Sequence, residues 1–206
     1  FRNGVAREKI RSALGIKEKE ILVGAVGRLD EIKDFDVFLS VAVRLVDFDK
    51  RYTFVLIGSG TPSQESAVTK WIEEKRLKAH VKRVPETNAI ADYFNAMDVY
   101  CSCSRGEGFP NTVAEAMACG VPCVVTKAGD SELIIGDTGV AVNAGDEEAL
   151  MRGVVRMCEV RTSNDEISVT IRHRITSRYS LSQLQKLTVR TIQQMDVNCA
   201  GSDSGR

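Results

Sequence analysis

The chain reads as a single α/β domain built on a parallel sheet with helices on both faces. Three observations predict this. Short apolar runs alternate with longer segments of helical periodicity, the pattern of repeated strand–helix–strand units. The runs are apolar almost throughout rather than at every second residue, as strands covered on both faces are. Loops rich in Gly, Pro, Asn and Asp punctuate the alternation.

Taken in order, ILVGAVG (21–27) is the first strand and DVFLSVAVRLV (36–46) the helix after it. TFVLIG (53–58) precedes the helical QESAVTKWIEEKR (64–76), and HVKRV (80–84) precedes AIADYFNAM (89–97). VYCSCS (99–104) leads into TVAEAMAC (112–119), PCVVT (122–126) and VAVN (140–143) follow as strands, and DEEALMRGVVRM (146–157) is helical. From about residue 147 to 195 the pattern is helix only, and residues 196–206 have the small, polar composition of a loose tail. Residues 1–195 are therefore expected to form one domain, a size at which a sizeable core is available.

Composition narrows the function classes. Twenty-eight basic residues balance 28 acidic ones, so no strong field selects nucleic acid or an anionic membrane. No apolar run approaches the roughly 20 residues of a membrane-spanning helix. The first residue is Phe1 and no signal peptide is visible, so processing or a chosen boundary is expected to have set that end. The six cysteines (101, 103, 119, 123, 158, 199) include no CxxC pair and no secreted-type framework. They read as reduced thiols packed like small apolar residues rather than a zinc site, which points to a cytoplasmic location.

In open α/β sheets ligands gather outside the carboxyl ends of the strands, so the strand-to-helix loops are the place to look. In GRLDEIKD (27–34), Arg28 and Lys33 sit beside an expected helix N-terminus, which suits a phosphate or diphosphate; two solvated surface cations, one paired with Asp30 or Glu31, is the alternative. Neither a Walker loop nor a GxGxxG fingerprint is present. The DFD triplets at 34–36 and 47–49 are better explained by capping and turn chemistry than by metal binding.

The stretch SRGEGFPNTVAEAMACGVP (104–122) carries two glutamates, Glu107 and Glu115. Gly106, Gly108 and Pro110 place Glu107 in a loop, with a helix starting near Asn111 or Thr112 and ending at Gly120 as its C′ residue. Glu115 then lies in the first turn. It can close a capping box with Thr112 or reach a ligand on the loop side of the sheet, and residue chemistry alone leaves both open. His80 and His173 show no base or ligand role, and Trp71 reads as a partly buried helix anchor.

Together these segments resemble the C-terminal, nucleotide-sugar-binding domain of retaining glycosyltransferases of the two-domain GT-B architecture, in the large group 1 family with a Glu-x7-Glu motif. The resemblance rests on NGV (3–5), VGRLDEIKD (26–34), EGFPNTVAEAMACGVPCV (107–124), TGVAVNAGD (138–146) and RYSLSQL (178–184), and so spans nearly the whole chain. It implies a Rossmann-like, doubly wound parallel sheet. Gly27, Arg28 and Lys33 would hold the donor diphosphate, with Arg28 and Lys33 stabilising the leaving nucleotide and Glu107 meeting the sugar hydroxyls as the catalytic set. Around Pro110, the residues Gly108, Phe109, Asn111 and Thr112 would offer backbone N–H groups to the donor at the helix N-terminus, and Glu115 would bind the ribose diol. The base would lie near Arg83, Val84 and Pro85. No metal or other cofactor is implied.

The implied partners are a UDP- or GDP-sugar carrying a hexose or N-acetylhexosamine, a glycan or lipid-linked acceptor, and an acceptor-binding N-terminal domain that no segment here resembles. The isolated domain is expected to be inactive, and the whole enzyme to lie in the cytoplasm or on the cytoplasmic face of the membrane. A nucleotide- or sugar-binding module without catalysis, or a GT-B nucleotide-sugar epimerase, is the alternative. One departure stands out: Asp34 follows Lys33 where the family usually has Gly. Asp34 is expected to cap the next helix and turn away from the ligand.

Overall fold

A computed structural model of the chain describes residues 3–164 and 166–201, with residues 194–201 described by backbone alone. Six parallel strands form one sheet: β1 (Ile21–Val26), β2 (Tyr52–Ile57), β3 (Val81–Val84), β4 (Val99–Ser102), β5 (Cys123–Thr126) and β6 (Val140–Val142). Their spatial order is β3-β2-β1-β4-β5-β6, which is the doubly wound Rossmann order. β1 pairs with β2 from Ile21 opposite Tyr52 to Val26 opposite Ile57, and with β4 through Val23 opposite Val99.

Alternate side chains of each strand feed two cores. Toward one face, Val23, Phe54, Leu56, Cys101 and Val124 pack under α2 (Phe35–Phe48), α3 (Pro62–Glu74) and α7 (Glu147–Ser163), which contribute Phe38, Leu39, Leu45, Val68, Ile72, Leu150 and Val154. Toward the other, Leu22, Val55, Tyr100, Cys123 and Val125 meet Ile10 of α1 (Gly4–Ala13), Phe94 of α4 (Ile90–Ala96), Val113 and Met117 of α5 (Asn111–Ala118), Ile134 of α6 (Ser131–Ile135) and Ile171 and Ile175 of α8 (Ile167–Tyr179). This two-sided burial is why the strands read as unbroken apolar runs. Cys101, Cys103 and Cys123 are buried in these layers, and burial raises the Cys123 thiol pKa well above its ordinary value. Trp71 packs, partly buried, against the first core.

Two helices escape the sequence pattern. α1 buries little apolar surface; Arg7 and Arg11 hold it instead by hydrogen bonds to the Ala96 carbonyl and ion pairs to the buried Asp98 carboxylate. α6 is a single short turn and a half within a loop-like stretch. The last helix, α9 (Leu181–Gly201), corrects the expected tail: residues 196–201 continue it, and 202–206 lie outside the described residues. No described helix is long and apolar enough to cross a membrane.

Candidate functional site

β1 and β4 are neighbours in the sheet although β2 and β3 intervene in sequence, so the loops leaving their carboxyl ends splay apart around a crevice. The loop after β1 turns through a 3-10 segment, Glu31–Lys33, capped by the Asp30 carboxylate, which accepts from the Lys33 N–H. The Lys33 stem lies over Gly27: a Cβ there would sit 3.1 Å from three of its methylene carbons. Its ammonium reaches the loop after β4 and donates to Glu107 Oε1 at 2.6 Å. The hydroxyl of the buried Ser104 donates to the same oxygen at 2.7 Å. Among the described residues, no hydrogen bond reaches Glu107 Oε2.

The β4–α5 loop is held from below. Gly129, at φ +53°, lies so close that a Cβ would stand 2.3 Å from the carbonyl oxygens of Glu107 and Gly108, and the Asp130 N–H donates to the Gly108 carbonyl at 3.0 Å. α5 then starts behind Pro110 with no side-chain cap, leaving the N–H groups of Asn111 and Thr112 without a helical carbonyl. Gly120, at φ +72°, closes the helix as the expected C′ residue. Phe109 is exposed, its ring centroid 5.6 Å from that of Tyr179 at the end of α8.

Three sequence expectations meet a different arrangement. The Thr112–Glu115 capping box does not form: the Thr112 hydroxyl accepts from the buried Tyr100 hydroxyl at 2.8 Å. The Glu115 carboxylate makes no hydrogen bond or ion pair among the described residues, and partial burial raises its pKa from the ordinary carboxylate value. Asp34 stands at the N-cap of α2 but its side chain caps nothing; it adopts the left-handed conformation (φ 50°, ψ 49°) and accepts two hydrogen bonds from Arg105, at 2.6 and 3.0 Å. The Arg83 and Val84 side chains are engaged within the chain: Arg83 donates to Glu65 of α3 at 2.7 Å, and Val84 is buried in the α4–α5 core.

Beside Gly27, a cleft of about 250 Å³ opens between the carboxyl ends of β1, β2 and β3, lined by Arg28, Ile57, Ser59, Glu86, Thr87 and Ile90 among others. Arg28 is 81% exposed and paired with Asp30 at 3.0 Å. The structure therefore brings together Gly27, Arg28, Lys33 and Glu107, with the α5 N-terminus nearby in sequence on the same loop. Ser59 and Thr87 were not singled out from sequence, although GSGTPS and VPETN both follow strands and both line the cleft. Among the described residues no group of three or more His, Cys, Asp and Glu is placed to hold a metal ion.

Known proteins resemble this chain in the same region. It is 27% identical over 184 residues to the lipopolysaccharide core biosynthesis mannosyltransferase LpsB of Rhizobium meliloti, covering 86% of this chain and 52% of LpsB. It is 32% identical over 138 residues to the mannosyltransferase LpcC of Rhizobium leguminosarum, covering 65% of this chain and 39% of LpcC. The fold superposes on the crystal structure of Anabaena HepE in complex with UDP with a TM-score of 0.84 at 20% identity, covering 93% of this chain and 53% of that one. The chain thus spans about half the length of LpsB and HepE. The family model described as glycosyl transferases group 1 matches residues 20–159, from the start of β1 into α7. A Rossmann-ordered sheet, a crevice at its reversal point and this match carry one conclusion: the chain belongs to the group 1 glycosyl transferases.

Proposed function

We propose that this chain is the donor-binding part of a retaining, metal-independent glycosyltransferase that takes a hexose or N-acetylhexosamine from a UDP- or GDP-sugar. The observation that carries the reading is the Lys33–Glu107 contact at 2.6 Å where the sheet order reverses, beside the cleft that Arg28 lines. A diphosphate entering over Gly27 draws the Lys33 ammonium away from Glu107 and meets the Arg28 guanidinium, and the two cations stabilise charge gathering on the leaving nucleotide. The freed Glu107 carboxylate accepts hydrogen bonds from sugar hydroxyls, and the α5 N-terminus supplies N–H donors. Glu115, without a partner of its own, accepts from the ribose diol.

The nucleoside occupies the cleft beyond Arg28. The acceptor, a glycan or lipid-linked saccharide, is held chiefly by a further domain, as the half-length match to LpsB fits. Two relatives are mannosyltransferases, and HepE was captured with UDP, which supports the chemistry. The complete enzyme works in the cytoplasm or at its membrane face.

Titration of the chain with UDP, GDP and ADP, with and without EDTA, tests this. At least one diphosphate binds, EDTA leaves its affinity unchanged, and Arg28→Ala and Glu115→Ala each weaken it. No binding of any of the three, or unchanged affinity in both variants, refutes the reading. Binding that persists alongside a full-length protein that epimerises a nucleotide sugar, or transfers nothing, favours the alternatives.

A further inference from the structure

The Lys33–Glu107 contact has a second pair built beside it. Asp34 follows Lys33, and Arg105 stands two residues before Glu107. The Arg105 guanidinium grips the Asp34 carboxylate through Nε at 2.6 Å and Nη2 at 3.0 Å, and the Arg105 N–H donates to the Ile32 carbonyl at 2.8 Å. Three attachments, one of backbone and two of charge, therefore join the loop after β1 to the loop after β4 within a few residues.

Asp34 is an unfavourable choice for its position on every local ground. At φ +50° an aspartate is tolerated, but glycine sits there more freely. Its side chain is only 4% exposed, so the carboxylate has lost most of its water. It does not cap α2, and among the described residues its side-chain bonds go to Arg105 alone. Arg105, 65% exposed, brings the compensating charge from the other loop, and its planar two-pronged grip sets an orientation as well as a distance.

We infer that Asp34 and Arg105 are positioning residues: a latch between the two loops that keeps the Lys33 ammonium and the Glu107 carboxylate at a set separation. Where it bears on donor binding this rests on the function proposed above. A nucleotide sugar must reach Lys33 with its diphosphate and Glu107 with its sugar at once. An open latch costs the sugar its contribution while leaving the bare nucleotide its own.

The test reads the latch first without any donor. Asp34→Asn and Asp34→Gly both suit a positive φ and remove the charge, so the backbone is spared. Acetylation of lysines by acetic anhydride is followed by peptide mass spectrometry, with the exposed Lys70 as the internal reference. Lys33 is expected to react about fivefold faster in both variants, within the range of coupled neighbours in one polar network. Lys70 stays unchanged. In parallel, the affinity ratio of the preferred nucleotide sugar to its bare diphosphate (UDP-glucose to UDP, or GDP-mannose to GDP) falls by a similar factor, and Arg105→Lys, which keeps charge but not the fork, lowers it too.

Unchanged Lys33 reactivity overturns the latch, whether or not the melting temperature drops. A drop alone marks an ordinary brace. Faster Lys33 labelling with an unchanged affinity ratio also overturns the positioning role. Faster labelling in a chain that binds no nucleotide or nucleotide sugar leaves the mechanical latch standing and removes the donor reading.

Discussion

Replacing Glu107 by Gln makes a prediction of unusual sign. The Lys33 ammonium is engaged by Glu107 Oε1 at 2.6 Å, with the two side chains 18% and 13% exposed. A charge-assisted hydrogen bond of this kind contributes about 1.5–3 kcal/mol net. A glutamine keeps the geometry and a neutral acceptor, which retains roughly half of that. The bond a diphosphate must displace is then weaker by about 1 kcal/mol, close to fivefold in affinity. Bare UDP or GDP should therefore bind Glu107→Gln more tightly than the unaltered chain.

On the proposed function the corresponding nucleotide sugar should not gain, because the carboxylate that would accept its hydroxyls has gone. Isothermal titration of both ligands against both proteins, at about 0.15 M salt where exposed pairs are largely screened, reads the two effects separately. If bare nucleotide and nucleotide sugar change by the same factor, Glu107 does not face the sugar. If the bare nucleotide binds more weakly, Lys33 is not held in reserve by Glu107, and the reasoning fails.

Gly58→Ala should destabilise the chain by about 2 kcal/mol or more on chemical unfolding, because a Cβ would lie 1.8 Å from the Gly27 carbonyl oxygen at φ +142°; unchanged stability would mean that β1 and β2 are not so tightly apposed. Thr112→Val leaves the buried Tyr100 hydroxyl without its acceptor and should cost about 1–3 kcal/mol, while Tyr100→Phe costs about 1 and the double variant recovers part of the loss. Additive losses in that cycle would show the two hydroxyls to be uncoupled.

Glu115→Gln tests capping against burial by pH. Its raised pKa means the folded state disfavours the ionised form, a penalty present above the raised value and absent below the ordinary one. The Gln variant should accordingly melt no lower than the parent at neutral pH and lose any advantage in acid. A cap would instead show a loss of about 0.5–2 kcal/mol at neutral pH.

The six strands were legible because burial on both faces leaves one signal, an apolar run, and nothing in sequence competes with it. α1 is different: Ala6, Ile10 and Leu14 recur at helical spacing, but its main fastening, Arg7 and Arg11 bound to carbonyls and a carboxylate some 85–91 residues away, leaves no trace in sequence. In the site, residue types were readable and partners were not. The Thr112–Glu115 spacing fits a capping box, yet the Thr112 hydroxyl serves a tyrosine from β4. Asp34 was placed correctly before α2, but its carboxylate answers an arginine on another loop. The resemblance placed the base near Arg83, but that its guanidinium pairs with Glu65 of α3 could not be read from sequence. In each case a contact distant in sequence chose among local options that were equally sound.

The separation of Lys33 from Glu107 along the chain, 74 residues, also sets a timetable. β1, α2, β2, α3 and β3 can pair with near neighbours as they are made, but β4 must return past them to dock against β1. During synthesis the first cation of the site is therefore exposed well before its carboxylate exists. The pairing waits until the β4–α5 segment has emerged and settled, so a nascent chain halted at β3 carries Lys33 without the carboxylate that holds it.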